Sequence, residues 1–232
     1  MIKQLVRISV LLVAIHFLAG CSSPKYSVAK NESDVRQGIS VDSGYPGCPD
    51  CSKVMTYTSS ALTSYSWMRN ESSADKGYLT GRVHVGITNN RAGHKNAYFL
   101  KVDQTNSGIF TLGASVYLTD NSGNRKLLSY AQMEGYDQNK PKECSDNIGH
   151  SCWWTDYFWL TAATLNQAID SGKPLTLFIG QDRTVAATDG YSRTVQFVPV
   201  GVTITISNEY LKILRDELSV RGVQLPSDVG LP

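Results

Sequence analysis

The chain has 232 residues, 22 of them basic and 20 acidic, for a formal charge of +2; the two excess cations, Lys3 and Arg7, both lie at its start. Beyond residue 20 the signs balance at 20 each, which argues against a broad nucleic-acid footprint, because phosphate recognition rests on clustered Lys and Arg. The remaining 212 residues suit one large domain or two small ones.

After Lys3 and Arg7, an apolar run from Ile8 to Ala19 is broken only by Ser9 and His16. It is shorter than the roughly 20 apolar residues that a spanning helix needs and fits the core of a secretory signal peptide. The run ends in Leu18, Ala19, Gly20 and Cys21. Small residues there let a peptidase approach the backbone, and the thiol can take a diacylglyceryl group. This segment resembles the lipobox of bacterial lipoproteins. The resemblance implies that residues 1–20 are removed and that Cys21 carries lipid on its sulfur and its amino group. Two or more acyl chains give stable anchoring where one is marginal. In such lipoproteins an aspartate after the cysteine favours the inner membrane; Ser22 and Ser23 stand here, which implies the outer membrane, facing the periplasm.

Residues 21–47 show scattered apolar side chains without a sustained period and read as a flexible tether with a reach of roughly 25 to 30 Å. A globular domain is expected over 48–222 and an irregular tail over 223–232.

Within the domain, period-two patterns dominate. Val83, Val85 and Ile87 share one face of a strand, with Arg82, His84 and Thr88 on the other; Val202, Ile204 and Ile206 alternate with Thr203 and Thr205. Strand signals also lie at 98–102, 116–118, 153–160 and 175–179, and residues 120–124, DNSGN, read as a hairpin loop. Alternation implies one wet and one dry face, the habit of antiparallel sheets. The expected fold is mainly β (α+β), an antiparallel β-sandwich-like domain with two short capped helices. The pattern is loosely similar to β-rich bacterial envelope lipoproteins.

Both helices start alike. Thr161 can cap a helix over 162–170 that ends at Gly172, and Ser207 can cap one from Asn208 to about Arg221 that ends at Gly222. Leu160 with Leu165, and Ile206 with Leu211, have the spacing of a hydrophobic staple.

Four cysteines follow Cys21: Cys48, Cys51, Cys144 and Cys152. Export to an oxidising compartment makes disulfides the default. In CPDC, Pro49 and Asp50 suit a type I turn that brings the flanking cysteines within disulfide reach. Cys144 and Cys152 flank a polar loop that they close if the neighbouring strands are antiparallel. Three pairings are open, and the two local bridges, Cys48 to Cys51 and Cys144 to Cys152, are preferred over a cross-linked pairing. Zinc is disfavoured by the wide second spacing, and a redox pair by the strand-like residues after Cys51. No cofactor or metal is expected.

Residues 152–160, CWWTDYFWL, send Trp153, Tyr157 and Trp159 to one face and Trp154 and Phe158 to the other. A central strand covered on both sides has this composition; the functional alternative is an exposed aromatic shelf of Trp153, Tyr157 and Trp159 for a glycan or peptide. A nucleophile elbow, a zinc-protease helix, a phosphate-cradling glycine loop and a kinase signature are all absent from the sequence. His84 lies on a strand, His94 and His150 in loops. Of these, His150 near Asp146 and Cys144 is the nearest to a catalytic grouping, and a surface loop is the preferred reading. Arg91, His94 and Lys95 form the densest basic group, read as a solvated turn. The expected function is a non-enzymatic interaction or assembly module, anchored to the membrane by lipid and paired with an envelope protein. The alternatives are a ligand-binding module using the aromatic strand and a periplasmic thiol or hydrolytic enzyme.

Overall fold

A computed structural model describes residues 28–43, 55–69, 77–88, 96–108, 114–131, 143–144, 152–188 and 193–226. The fold is mainly antiparallel β, with three short helices among these residues. Strands β1 (Ser40–Ser43), β2 (Met55–Thr58), β4 (Gly77–Thr88), β5 (Ala97–Gly108), β9 (Cys152–Leu160) and β8 (Glu143–Cys144) follow one another in that order across the first sheet, and β3 (Thr63–Arg69) also pairs with β4. The second sheet runs β11 (Arg193–Ile206), β10 (Leu175–Thr188), β6 (Ser115–Thr119), β7 (Arg125–Leu127).

The sheets approach each other at both sides. Residues 128–131 leave β7 and join the free edge of β9, where the Ala131 amide donates to Tyr157 O at 2.8 Å and the Trp159 amide to Ser129 O at 2.9 Å. On the other side β11 lies against β3. Leu79, Val83, Val102 and Phe158 of the first sheet and Val116, Ile179 and Val200 of the second belong to one buried cluster, so both sheets wrap a single interior.

One end of that interior is closed by helices. Helix α2 (Ala162–Ser171) follows Leu160, and α3 (Asn208–Val220) follows Ile206. Thr161 Oγ1 accepts from the Thr164 amide at 3.1 Å, and Ser207 Oγ accepts from the Glu209 amide at 3.2 Å. The staple residues Leu160, Leu165, Ile206 and Leu211 are all buried in the common core. Gly172 and Gly222, at φ 68° and 76°, take the left-handed turn that ends a helix without steric cost. The opposite end of the interior is where β3 leads into β4, β5 into β6 and β8 into β9.

The tether boundary is corrected. Residues 28–43 belong to the folded body: Val28 pairs with Ala61, β1 pairs with β2, and between them lies helix α1 (Glu32–Gln37), capped by Asn31. Val35 of α1 is fully buried, and Arg36 reaches Glu217 of α3 at 3.2 Å. Six residues with one apolar member leave no helical period to detect. The expected tail also starts later than residue 223, since Val223 and Leu225 pack on the core and Asn96 donates its side-chain amide to Gln224 O.

The wet face expected of β4 is corrected as well. Val83, Val85 and Ile87 are buried, but so are His84 and Thr88 opposite them. The residues between β2 and β3 cover that side, with Ser59 bonded to β4 through its amide and its hydroxyl.

Candidate functional site

Strands β4, β5 and β9 carry two polar groups back to back, one on each face. Register fixes the faces: Val102 stands opposite Val83 and Asp156, and Asp103 opposite Arg82 and Thr155. Because side chains alternate along a strand, Gln104, Asn106, Trp154 and Asp156 point with the core, while His84, Lys101, Asp103, Thr155 and Tyr157 point away from it.

The outer group centres on Asp103. Thr155 Oγ1 donates to Asp103 Oδ1 at 2.8 Å, and Lys101 Nζ and His84 Nε2 each lie 3.2 Å from Oδ2. Burial by itself would push this carboxyl up, but His84, Lys101 and Thr155 outweigh it and hold Asp103 well below the usual carboxylate range. The other nitrogen of His84, Nδ1, lies 2.9 Å from Ser59 O; a carbonyl only accepts, so the ring donates there. A histidine beside a carboxylate has the makings of a general base. Here its second nitrogen is tied to main chain, and the nearby Ser59 hydroxyl is engaged too, accepting from the Val85 amide and donating to Ser60 O. The arrangement staples the segment before β3 onto β4.

The inner group lies in the half of the interior away from the helices. Gln104 bridges two elements: its Nε2 donates to Asp156 Oδ2 at 2.7 Å, and its Oε1 accepts from the Ala114 amide, ahead of β6, at 3.2 Å. Trp154 Nε1 donates to Asn106 Oδ1 at 3.1 Å. Tyr65 of β3 stands opposite Gly81 and lays its ring across it, with Oη and Cζ filling the place of a glycine Cβ. Tyr65 Oη and Asn106 Nδ2 are both buried, and neither has a hydrogen-bond partner. Burial pushes the Asp156 carboxyl up to about 6, against the Gln104 bond that favours its charge, and Asp103 on the far face adds to the rise. Burial, then the charges of Asp156 and Asp103, push the Tyr65 phenol well up, so it stays a neutral donor.

The residues singled out in the sequence are placed differently. Cys21, Cys48, Cys51, His94 and His150 lie outside the described residues, as do Arg91, Lys95 and Asp146. Cys144 and Cys152 stand directly opposite each other across β8 and β9, and Cys152 is disulfide-bonded. Paired positions in an antiparallel ladder are about 4.5 to 5.5 Å apart at Cα, inside the range a disulfide spans.

The aromatic shelf is corrected. Trp153 is exposed at 57 %, but Tyr157 is only 8 % exposed and packs edge-on against Phe99 at 5.7 Å, with Ala131 and Trp159 completing that small cluster. The covered-strand reading holds for Trp154, Tyr157 and Phe158. Among the described residues no group of three or more His, Cys, Asp or Glu is placed to hold a metal. Sequence reasoning missed Tyr65, Gln104, Asn106 and Asp156; the one available signal was Asp156 within an otherwise apolar strand.

Comparison with known protein families, with curated proteins and with solved structures finds nothing that matches this chain.

Proposed function

We propose that this chain is a lipid-anchored protein of the outer membrane whose β-rich body serves as a non-enzymatic interaction or assembly module. The observation that carries the reading is Leu18-Ala19-Gly20-Cys21 behind a short apolar run and two cations, the order of features at which a signal is cut and a thiol acylated. The early start of the folded body supports it: Val28, the first of the described residues, already pairs with Ala61 and follows Cys21 by seven positions, which span at most about 25 Å even when extended. The module would sit against the membrane surface, where an envelope partner can meet it.

The histidine geometry favours binding over catalysis. His84 is turned to a main-chain carbonyl and a structural carboxylate. Cys152 is disulfide-bonded and Cys144 is its cross-strand neighbour; a bridge between these two is part of the proposal.

The test is metabolic labelling with palmitate in the native host or a close relative. Label should join the full chain and be lost in Cys21→Ala, which should also leave the outer-membrane fraction. A chain that takes up no label and fractionates identically with and without Cys21 overturns the reading.

A further inference from the structure

The outer face of the first sheet carries a line of side chains that the anchoring reading leaves unused. Register sets Ser66 of β3 opposite Thr80 of β4, Thr80 opposite Thr105 of β5, and Thr105 opposite Trp153 of β9. At a strand spacing of about 4.8 Å the line runs roughly 14 Å across the sheet. All four point away from the core, because their chain neighbours Tyr65, Leu79, Gln104 and Trp154 are the buried ones. Trp153 is 57 % exposed, although tryptophan is highly buried on average. Nearer the helices, Thr155, Lys101 and His84 are all tied to Asp103. The side chains of Ser66, Thr80, Thr105 and Trp153, in contrast, make no hydrogen bond or ion pair among the described residues.

We propose that this line is a surface platform for a neutral oligosaccharide, with one pyranose ring stacked on Trp153 and the adjoining rings hydrogen-bonded along Thr105, Thr80 and Ser66.

The chemistry of the line chooses the class. A pyranose presents C–H groups on one face and hydroxyls around its rim, the complement of an indole beside a row of hydroxyls. Each Ser or Thr hydroxyl both donates and accepts, so it meets a sugar hydroxyl in either role. The platform needs no cavity, since an extended chain of rings lies flat across the strands. Tyr78 of the next line stands roughly 12 Å from Trp153, two strands over and one pair along, and offers a second aromatic to a short chain of rings. The formal charges around the line balance: Arg82 and Lys101 on one side, Asp103 and, at the register position next to Trp153, Glu143 on the other. An anionic sugar on the indole would meet that glutamate position. A protein is the competing occupant, and Met68, 75 % exposed beside Tyr78 across the strands, would suit one. Serine, however, is depleted at protein interfaces, and three short hydroxyl side chains give a protein little apolar area to cover.

The inference adds a ligand to the interaction module proposed above and does not depend on the anchor, since no part of it involves Cys21. The full chain, in a zwitterionic detergent free of sugar headgroups, is titrated calorimetrically and followed by saturation-transfer NMR. The trimers of glucose and of N-acetylglucosamine are the neutral probes, and trigalacturonate is the charged control. At least one neutral trimer should bind. Trp153→Ala should weaken it tenfold or more, and Thr80→Val with Thr105→Val should weaken it severalfold. These are surface positions, so the unfolding midpoints should stay near that of wild type; a residue with a purely structural role would not show that split. No binding of either neutral trimer by the wild-type chain overturns the proposal and leaves the face to a protein partner. Undiminished binding by Trp153→Ala or by the threonine pair, or tighter binding of trigalacturonate than of both neutral trimers, overturns it too.

Discussion

Tyr65 and Gly81 face each other across β3 and β4, and the tyrosine ring occupies the space that any side chain at residue 81 would need. A Cβ at Gly81 would lie 2.5 Å from Tyr65 Oη and would press on Asp103 O, which is main chain and cannot swing aside. Overpacking of this kind costs about 1 to 3 kcal/mol, at times more. Gly81→Ala is therefore expected to lower stability by about 3 kcal/mol in urea unfolding. A loss below about 0.5 kcal/mol would mean that the ring does not rest on the glycine.

The two aspartates of the central strands give opposite pH dependences. Asp103 is held below its ordinary value, so its contribution is present above about pH 4 and lost as pH falls further. Asp156 is raised from 3.8 to about 6. The folded chain then keeps a proton that the unfolded chain releases, and stability declines as pH rises from about 4 to 6. Asp156→Asn should abolish that decline and stabilise the protein at pH 7 by up to about 3 kcal/mol, with little change at pH 4. Urea unfolding at pH 4, 5, 6 and 7 checks this; a wild type whose stability relative to the variant does not fall over the interval contradicts it.

Where the sequence was legible, and where it was not, follows from what each strand half faces. The helix-side halves show clean alternation, as in Val202, Ile204 and Ile206, and both long helices carry caps and staples at the expected positions. The recognisable pattern in β5 stops at Val102, yet the strand continues through Asp103, Gln104, Thr105 and Asn106 to Gly108. These residues line or back the polar half of the interior, so the hydrophobic period fails where the strand carries hydrogen-bonded polar side chains on both faces. His84 looked like a wet-face residue because its cover comes from Ser59, 25 positions away. No local period reports such a long-range contact.

The helix caps provide an independent check on the closed end. Thr161→Ala and Ser207→Ala each remove a side-chain acceptor from a first-turn amide and should each cost about 1 kcal/mol. Their effects should add, because the caps belong to separate helices. Thermal unfolding of the two single variants and the double variant tests this, and an unchanged midpoint in all three would contradict the capping role.

The cysteines make a covalent prediction. Peptide mapping without reduction should recover Cys144 linked to Cys152. Replacing both with serine should cost about 2 to 3 kcal/mol by the loop-closure relation for so short a ring. Recovery of Cys152 joined to Cys48 or Cys51 would show that the strap across β8 and β9 is wrong.

The membrane anchor is tested most directly by the mass of the amino-terminal peptide of the protein isolated from its own membrane. Cleavage before Cys21, with the added mass of a diacylglyceryl group and an amide-linked acyl chain on that residue, is the predicted result. An unmodified Cys21, whether at the terminus or still within a longer chain, would contradict the account of a membrane-moored module.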